Sequence, residues 1–166
     1  MRLEELANAL NAQLGGEVMR QVDEETYAVV VDDVLIRNME FADEGVLLTF
    51  ADLGEPPADR ADEFNRLLLQ SMHMYRLTDG CSFSIDPSTG RIFLSRYDRL
   101  DWLDGERFYA MMDKFVTVAA RWQRNVGCYD SAADELAAEE TSEREAAWTA
   151  LSAPGHLSPF VRLYRL

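Results

Sequence analysis

The sequence predicts an α+β protein, an antiparallel five-stranded sheet with helices packed on it in the order α-β-β-β-α-β-β-α. Three observations predict it. The stretch Thr26 to Leu53, TYAVVVDDVLIRNMEFADEGVLLTFADL, holds three apolar runs divided by short acidic breaks. Leucines or aromatic residues recur every three or four positions on both sides of that stretch. A second pair of apolar runs around a Pro- and Gly-containing turn lies between two of these helical patterns.

Each element has its own justification. Leu3, Leu6, Leu10 and Leu14 share one face of a first helix, with Glu4, Glu5, Asn8 and Asn11 outward, and Gly15-Gly16 ends it. Val18 to Asp23 alternates too weakly for more than brief pairing at an edge. In the meander, Ala28 to Val31, Val34 to Phe41 and Val46 to Phe50 are mostly residues suited to a pleated, largely buried surface. The breaks at Asp32-Asp33 and Ala42 to Gly45 are too short for helices and hold turn formers, so each strand returns beside its predecessor.

Gly54-Glu55-Pro56-Pro57 stops the third strand, and Asp59 stands where an N-cap belongs. A second helix is expected from about Arg60 to Leu77. Its apolar residues, among them Phe64, Leu67, Leu69, Met72 and Met74, spread beyond the roughly 100° stripe that one sheet face covers. A second copy of the chain is the simplest cover. Cys81 to Ile85 and Arg91 to Tyr97 form a hairpin across Asp86-Pro87-Ser88-Thr89-Gly90. Asp104 can cap a third helix with core positions Phe108, Met111, Met112, Phe115, Ala119, Trp122 and Val126. After Gly127 the composition turns to Ala and Glu. Ser131 with Asp134 and Ser142 with Glu145 match capping-box spacing before short helices, and an apolar, basic tail runs from Ser158 to Leu166. The expected division is a domain over 1–127 and a C-terminal helical extension with its tail over 128–166, the tail docked rather than free.

Composition narrows the function. The chain of 166 residues can remove roughly 70% of its unfolded surface from water and needs no staples. Its net charge is −14, from 30 acidic against 16 basic residues, with Lys114 the one lysine. Phosphate backbones and anionic lipids are held by clustered cations, so nucleic acid and membrane partners are not expected. Cys81 and Cys128 lie far apart without ligand spacing, which suits a reducing cytoplasm. The acidic residues within MRLEELANAL argue against a signal peptide or a membrane span there.

The inventory for chemistry is thin. His73 and His156 have no second histidine or cysteine at ligand spacing, so no metal is expected, and His73 suits a core or interface. No Gly-rich phosphate loop follows a strand and no GxSxG elbow occurs, so no cofactor or nucleophile is indicated. The carboxylate pairs Asp32-Asp33, Asp43-Glu44 and Glu139-Glu140 suit a solvated surface. An enzyme is not expected.

The segments LANALNAQLGG, TYAVVVDDVLIRNMEF, VLLTFADLGEPP, FNRLLLQSMHMY running into DGCSFSID, and RIFLSRYDRL, in this order, resemble the class I type III secretion chaperones, the Tir-chaperone (CesT-like) family. The resemblance spans Leu3 to Val126. It implies a type III secretion chaperone-like fold and a homodimeric, bacterial, cytoplasmic chaperone without ATPase activity. It also implies binding of the N-terminal segment of a secreted effector, held extended and secretion-competent, by strand addition and apolar grooves. Carried onto this chain, the dimer contact falls on Leu69, Met72, Met74, Phe83 and Ile85, in agreement with the helical wheel. The effector-binding patch falls on Leu6, Leu10, Val29, Val31, Leu35 and Met39, residues that equally suit an ordinary core. The extension exceeds the family pattern, and its tail is expected either in the effector groove or at a separate contact. The rival reading is a stand-alone domain of related fold, an adaptor for a folded partner or a small ligand.

Overall fold

The computed structural model describes residues 2–31, 33–75 and 77–126, and positions 133, 134, 137, 138, 141 and 142 of the extension. Its elements are α1 (Leu3–Leu14), β1 (Arg20–Gln21), β2 (Thr26–Val31), β3 (Val34–Phe41), β4 (Val46–Gly54), α2 (Ala61–Ser71), β5 (Ser82–Ile85), β6 (Ile92–Arg99) and α3 (Gly105–Val126). Short 3₁₀ turns occupy His73–Tyr75 and Leu100–Trp102.

The strands form one antiparallel sheet in the order β1-β2-β3-β4-β6-β5. It has six strands rather than the five expected. The added strand, β1, is two exposed residues paired through Arg20 with Ala28 and Gln21 with Tyr27. Too short to show alternation, it is held by α1. The Asn11 side chain accepts the N–H groups of Val18 and Met19 at 2.9 and 2.8 Å and donates to the Met19 carbonyl at 2.8 Å. Met19 is buried beside it. This bond set joins residues seven and eight apart, a link that strand periodicity does not report.

The three meander strands pair as expected, Val29 opposite Ile36 and Ile36 opposite Ala51. Asp33, with φ of 65°, adopts the left-handed conformation of the β2–β3 turn, which aspartate tolerates better than most residues. The register gives the sheet two faces. Val29, Ile36, Ala51 and Leu94 lie in one row, all buried on the side that meets α1 and α3. The opposite side carries Val30, Leu35, Met39, Leu48 and Tyr97, which range from half-buried to exposed.

α1 buries Leu3, Leu6, Ala7 and Leu10 and ends at Gly15, in the left-handed conformation. Glu40 of β3 fixes its start by accepting the Leu3 N–H at 2.9 Å while pairing with Arg2 at 3.4 Å. α3 buries the predicted stripe, Phe108, Met111, Met112, Phe115, Ala119, Trp122 and Val126. The Arg107 N–H donates to Asp104 at 2.8 Å, so Asp104 caps that helix. Gly105 lets the helices meet closely, since a Cβ there would lie 3.0 Å from that of Ala9.

α2 differs from expectation at both ends. Arg60 rather than Asp59 holds the N-cap position without a side-chain cap, because a turn from the Pro57 carbonyl to the Arg60 N–H delays the start. The helix stops at Ser71, whose hydroxyl donates to the Leu68 carbonyl at 2.7 Å, rather than at Leu77. Met74 and Tyr75 then adopt φ of 57° and 56°. Leu77 is drawn inward, its carbonyl accepting from the Arg121 guanidinium and the Trp122 indole N–H.

The chain divides into units Met1–Ala132 and Ala133–Leu166. The six described residues of the second are helical, and the Thr141 hydroxyl donates to the Ala137 carbonyl at 2.9 Å. Ser131, Glu145, His156, Cys128 and the apolar tail lie outside the described residues.

Candidate partner-binding surfaces

The first surface is a groove of about 170 Å³ between α1, β2 and α3. α1 and the segment after it supply Leu10, Leu14 and Val18, and β2 supplies Val29 and Val31. α3 supplies Tyr109, Met112, Asp113 and Val116. The local reason is periodicity: Tyr109, Met112, Asp113 and Val116 form a stripe beside the one that Phe108, Met111 and Phe115 turn toward the sheet. Leu10 and Leu14, one turn apart, do the same on α1.

The groove adjoins an open sheet edge. β1 pairs only with Tyr27 and Ala28, so beyond it the backbone of β2 at Val29–Val31 has no strand neighbour on that side among the described residues. Unpaired strand edges accept added strands. Asp113 is the one charged residue lining the groove, and no partner of its carboxylate occurs among the described residues.

Of the residues assigned to effector contact, Leu10, Val29 and Val31 converge on this groove. Leu6 is fully buried in the core. Leu35 and Met39 lie on the opposite sheet face, since Leu35 pairs with Val30 and Met39 with Thr26, an odd number of residues from the row of Val29 and Ile36. Sequence reasoning missed Tyr109, Asp113 and Val116, whose signal was the second stripe of α3.

The second surface surrounds the end of α2 and β5. Leu69 is 66% exposed, Met74 74%, Tyr75 55% and Ile85 45%. Met72 and Phe83, assigned to the same contact, are half-buried and bonded within the chain. The Phe83 N–H donates to the Met72 Sδ at 3.1 Å, and the Phe83 ring meets Trp122 edge-on at 4.9 Å. Tyr75 belongs to the apolar set that the helical wheel leaves uncovered but not to the assigned contact, and a left-handed turn rather than the expected helix carries it. His73 is exposed in that turn.

Among the described residues no group of three or more His, Cys, Asp or Glu could hold a metal ion. Burial pushes the Cys81 thiol up to about 11, with Arg96 opposing, so it is a poor nucleophile at neutral pH. No helix among the described residues is long and apolar enough to cross a membrane.

Comparisons with known proteins bear on the family and the fold. The Tir chaperone protein (CesT) family model matches residues 3–123. A chain of the ExsC–ExsE complex is similar in structure with a TM-score of 0.59 and 25% identity, over 77% of this chain and 98% of that one. A chain of the heterodimeric ExoU–SpcU complex from the type III secretion system of Pseudomonas aeruginosa follows at 0.55 and 19%, covering 72% and 96%. A chain from the Yersinia pestis type III secretion chaperone SycH with a stable fragment of YscM2 gives 0.53 and 15%, covering 70% and 96%. No curated protein matches the sequence.

Proposed function

The chain belongs to the Tir chaperone protein (CesT) family, and from that premise we propose that it is a cytoplasmic type III secretion chaperone that binds the N-terminal segment of a secreted effector as a homodimer. The observation that carries this reading is the apolar groove beside the unpaired edge of β2. An extended segment laid along Val29–Val31 satisfies that edge with main-chain hydrogen bonds and places alternate side chains against Leu10, Leu14 and Val116. A segment already paired within a folded domain has no free main-chain groups to offer that edge. The family is one of chaperones, and the work proposed is binding that keeps a segment extended, with no bond made or broken. That the ExsC and SpcU structures were solved as complexes further supports a protein partner.

The second copy belongs at the α2–β5 surface, where Leu69, Met74, Tyr75 and Ile85 are open to solvent in the single chain. Exposed large apolar groups on neighbouring elements are candidates for an interaction surface.

The test is capture from the native cytoplasm, with mass spectrometry of co-eluting protein and limited proteolysis of the complex. The proposal predicts a secreted protein protected over an N-terminal stretch. Capture of a folded enzyme or regulator with no protected terminal segment would favour the adaptor reading instead.

A further inference from the structure

We propose that the groove between α1, β2 and α3 selects an extended apolar segment carrying a lysine or arginine placed to pair with Asp113; this rests on the chaperone reading above and adds to it the charge class of the bound segment. Apart from Asp113 and the tyrosine of the same helix, the groove is walled by aliphatic and methionine side chains. The Asp113 carboxylate is exposed at its side with no ion pair or side-chain hydrogen bond among the described residues.

Neither Lys114 nor Thr117 pairs with its carboxylate. Lys114, the next residue, pairs with Asp79 at 3.4 Å. The Thr117 hydroxyl donates to the Asp113 backbone carbonyl at 3.0 Å and leaves the carboxylate alone. Val116 and Met112 flank it along the helix, so a cation arriving there meets a carboxylate beside a low-dielectric wall, where attraction exceeds that in open water.

A strand laid along β2 turns every second residue toward the groove. Its apolar residues seat against Leu14 and Val31, and the long stem of a lysine or arginine covers apolar surface while its charge reaches Asp113. A glutamate at that position would place two carboxylates together, which supplies discrimination by repulsion as well as attraction. The net charge of −14 attracts any cationic segment at long range, but it does not specify a position within the segment. Asp113 does.

The experiment uses the full chain and two fluorescein-labelled synthetic peptides of alternating leucine and serine, identical but for one central lysine or glutamate. Fluorescence anisotropy at physiological salt reads affinity for the wild type, Asp113→Asn, Asp113→Lys and Leu14→Gln. The lysine peptide is expected to bind the wild type about fivefold more tightly, with the preference lost in Asp113→Asn and inverted in Asp113→Lys. Leu14→Gln, at a side chain already 47% exposed, weakens both peptides without threatening the fold. Equal binding of the two peptides, both weakened by Leu14→Gln, would overturn the charge selection and leave the chaperone reading standing. A lysine preference that survives in Asp113→Asn would overturn it too, as an effect of net charge alone. Failure of both peptides to bind, or binding indifferent to Leu14→Gln, would count against the groove and so against both readings.

Discussion

α1 and α2 are both rich in leucine and end in opposite situations. α1 turns Leu3, Leu6 and Leu10 into its own chain's core, and its apolar stripe emerges only at Leu14, on the side of the groove. α2 buries Phe64, Leu67 and Leu68 but leaves Leu69 outside, and the turn after it sets Met74 and Tyr75 into solvent. That turn places two consecutive non-glycine residues in the left-handed region, each at a cost of about 1–2 kcal/mol. The chain thus accepts strain to expose apolar groups at one helix and uses ordinary packing to hide them at the other. The spread of apolar residues around α2 already sets it apart from α1, and the turn at its C-terminal end decides where Met74 and Tyr75 lie.

The sharpest way to break this contrast is to charge the α2–β5 surface. Met74→Glu together with Ile85→Glu is expected to convert a species of twice the chain's 18.9 kDa into one of 18.9 kDa in sedimentation equilibrium, with the far-ultraviolet spectrum unchanged. Burying unpaired charge in an interface costs on the order of several kcal/mol. These two positions serve better than Met72 and Phe83, whose bonds lie within the chain. An unchanged mass would remove this surface from any dimer.

Leu6→Ala probes the opposite helix. At a fully buried site it should cost about 2–5 kcal/mol in urea unfolding. Leu69→Ala in the monomeric double variant should stay within about 0.5 kcal/mol, as surface changes do. Similar costs for both would mean that the two helices are packed alike.

A smaller effect tests the sheet beneath α1 and α3. Thr49 donates to the Asn38 Oδ1 at 2.8 Å, both residues are fully buried, and the Asn38 Nδ2 lacks a partner. Thr49→Val strands the amide oxygen as well and should cost about 1–3 kcal/mol. Adding Asn38→Leu should restore most of that loss, and a double variant no better than the single would show that the pair is worth more than its desolvation.

The smallest effect is one of pH. Burial raises the Cys81 thiol from an ordinary 9.0 to about 11, so its contribution to stability is complete below pH 9 and is lost as pH rises from about 9 to about 11. In a Cys128→Ser background, iodoacetamide at pH 8 should modify Cys81 quickly in urea and slowly without it. Rapid native labelling would contradict its burial.

Much of this contrast was legible in the sequence, for identifiable reasons. The meander and the three helices announce themselves because each repeats one period over enough residues, as at Leu3, Leu6, Leu10 and Leu14 or Phe108, Met111 and Phe115. β1 was not legible as a full strand, since its placement depends on Asn11 rather than on its own side chains. The early stop of α2 was hidden for a similar reason: Ser71 turns its hydroxyl back on Leu68, and Leu77 is fastened to Arg121 and Trp122 far along the chain. At the groove, Leu10, Val29 and Val31 were nameable from their own elements. Leu35 and Met39 look equivalent to them in one dimension and fall on the other face, because a shift of one residue in a strand reverses the side chain. Asp113 belongs to the second stripe of α3, whose facing depends on how that helix is oriented.

The most direct measurement is hydrogen–deuterium exchange of the full chain, alone and with the captured N-terminal effector segment. The account predicts that β5 at Ser82–Ile85 exchanges slowly in both, already covered by the second copy, and that the amides of β2 at Val29–Val31 slow markedly only when the segment is bound. Slowing at β5 on segment binding, with β2 unchanged, would contradict it and exchange the roles of the two surfaces.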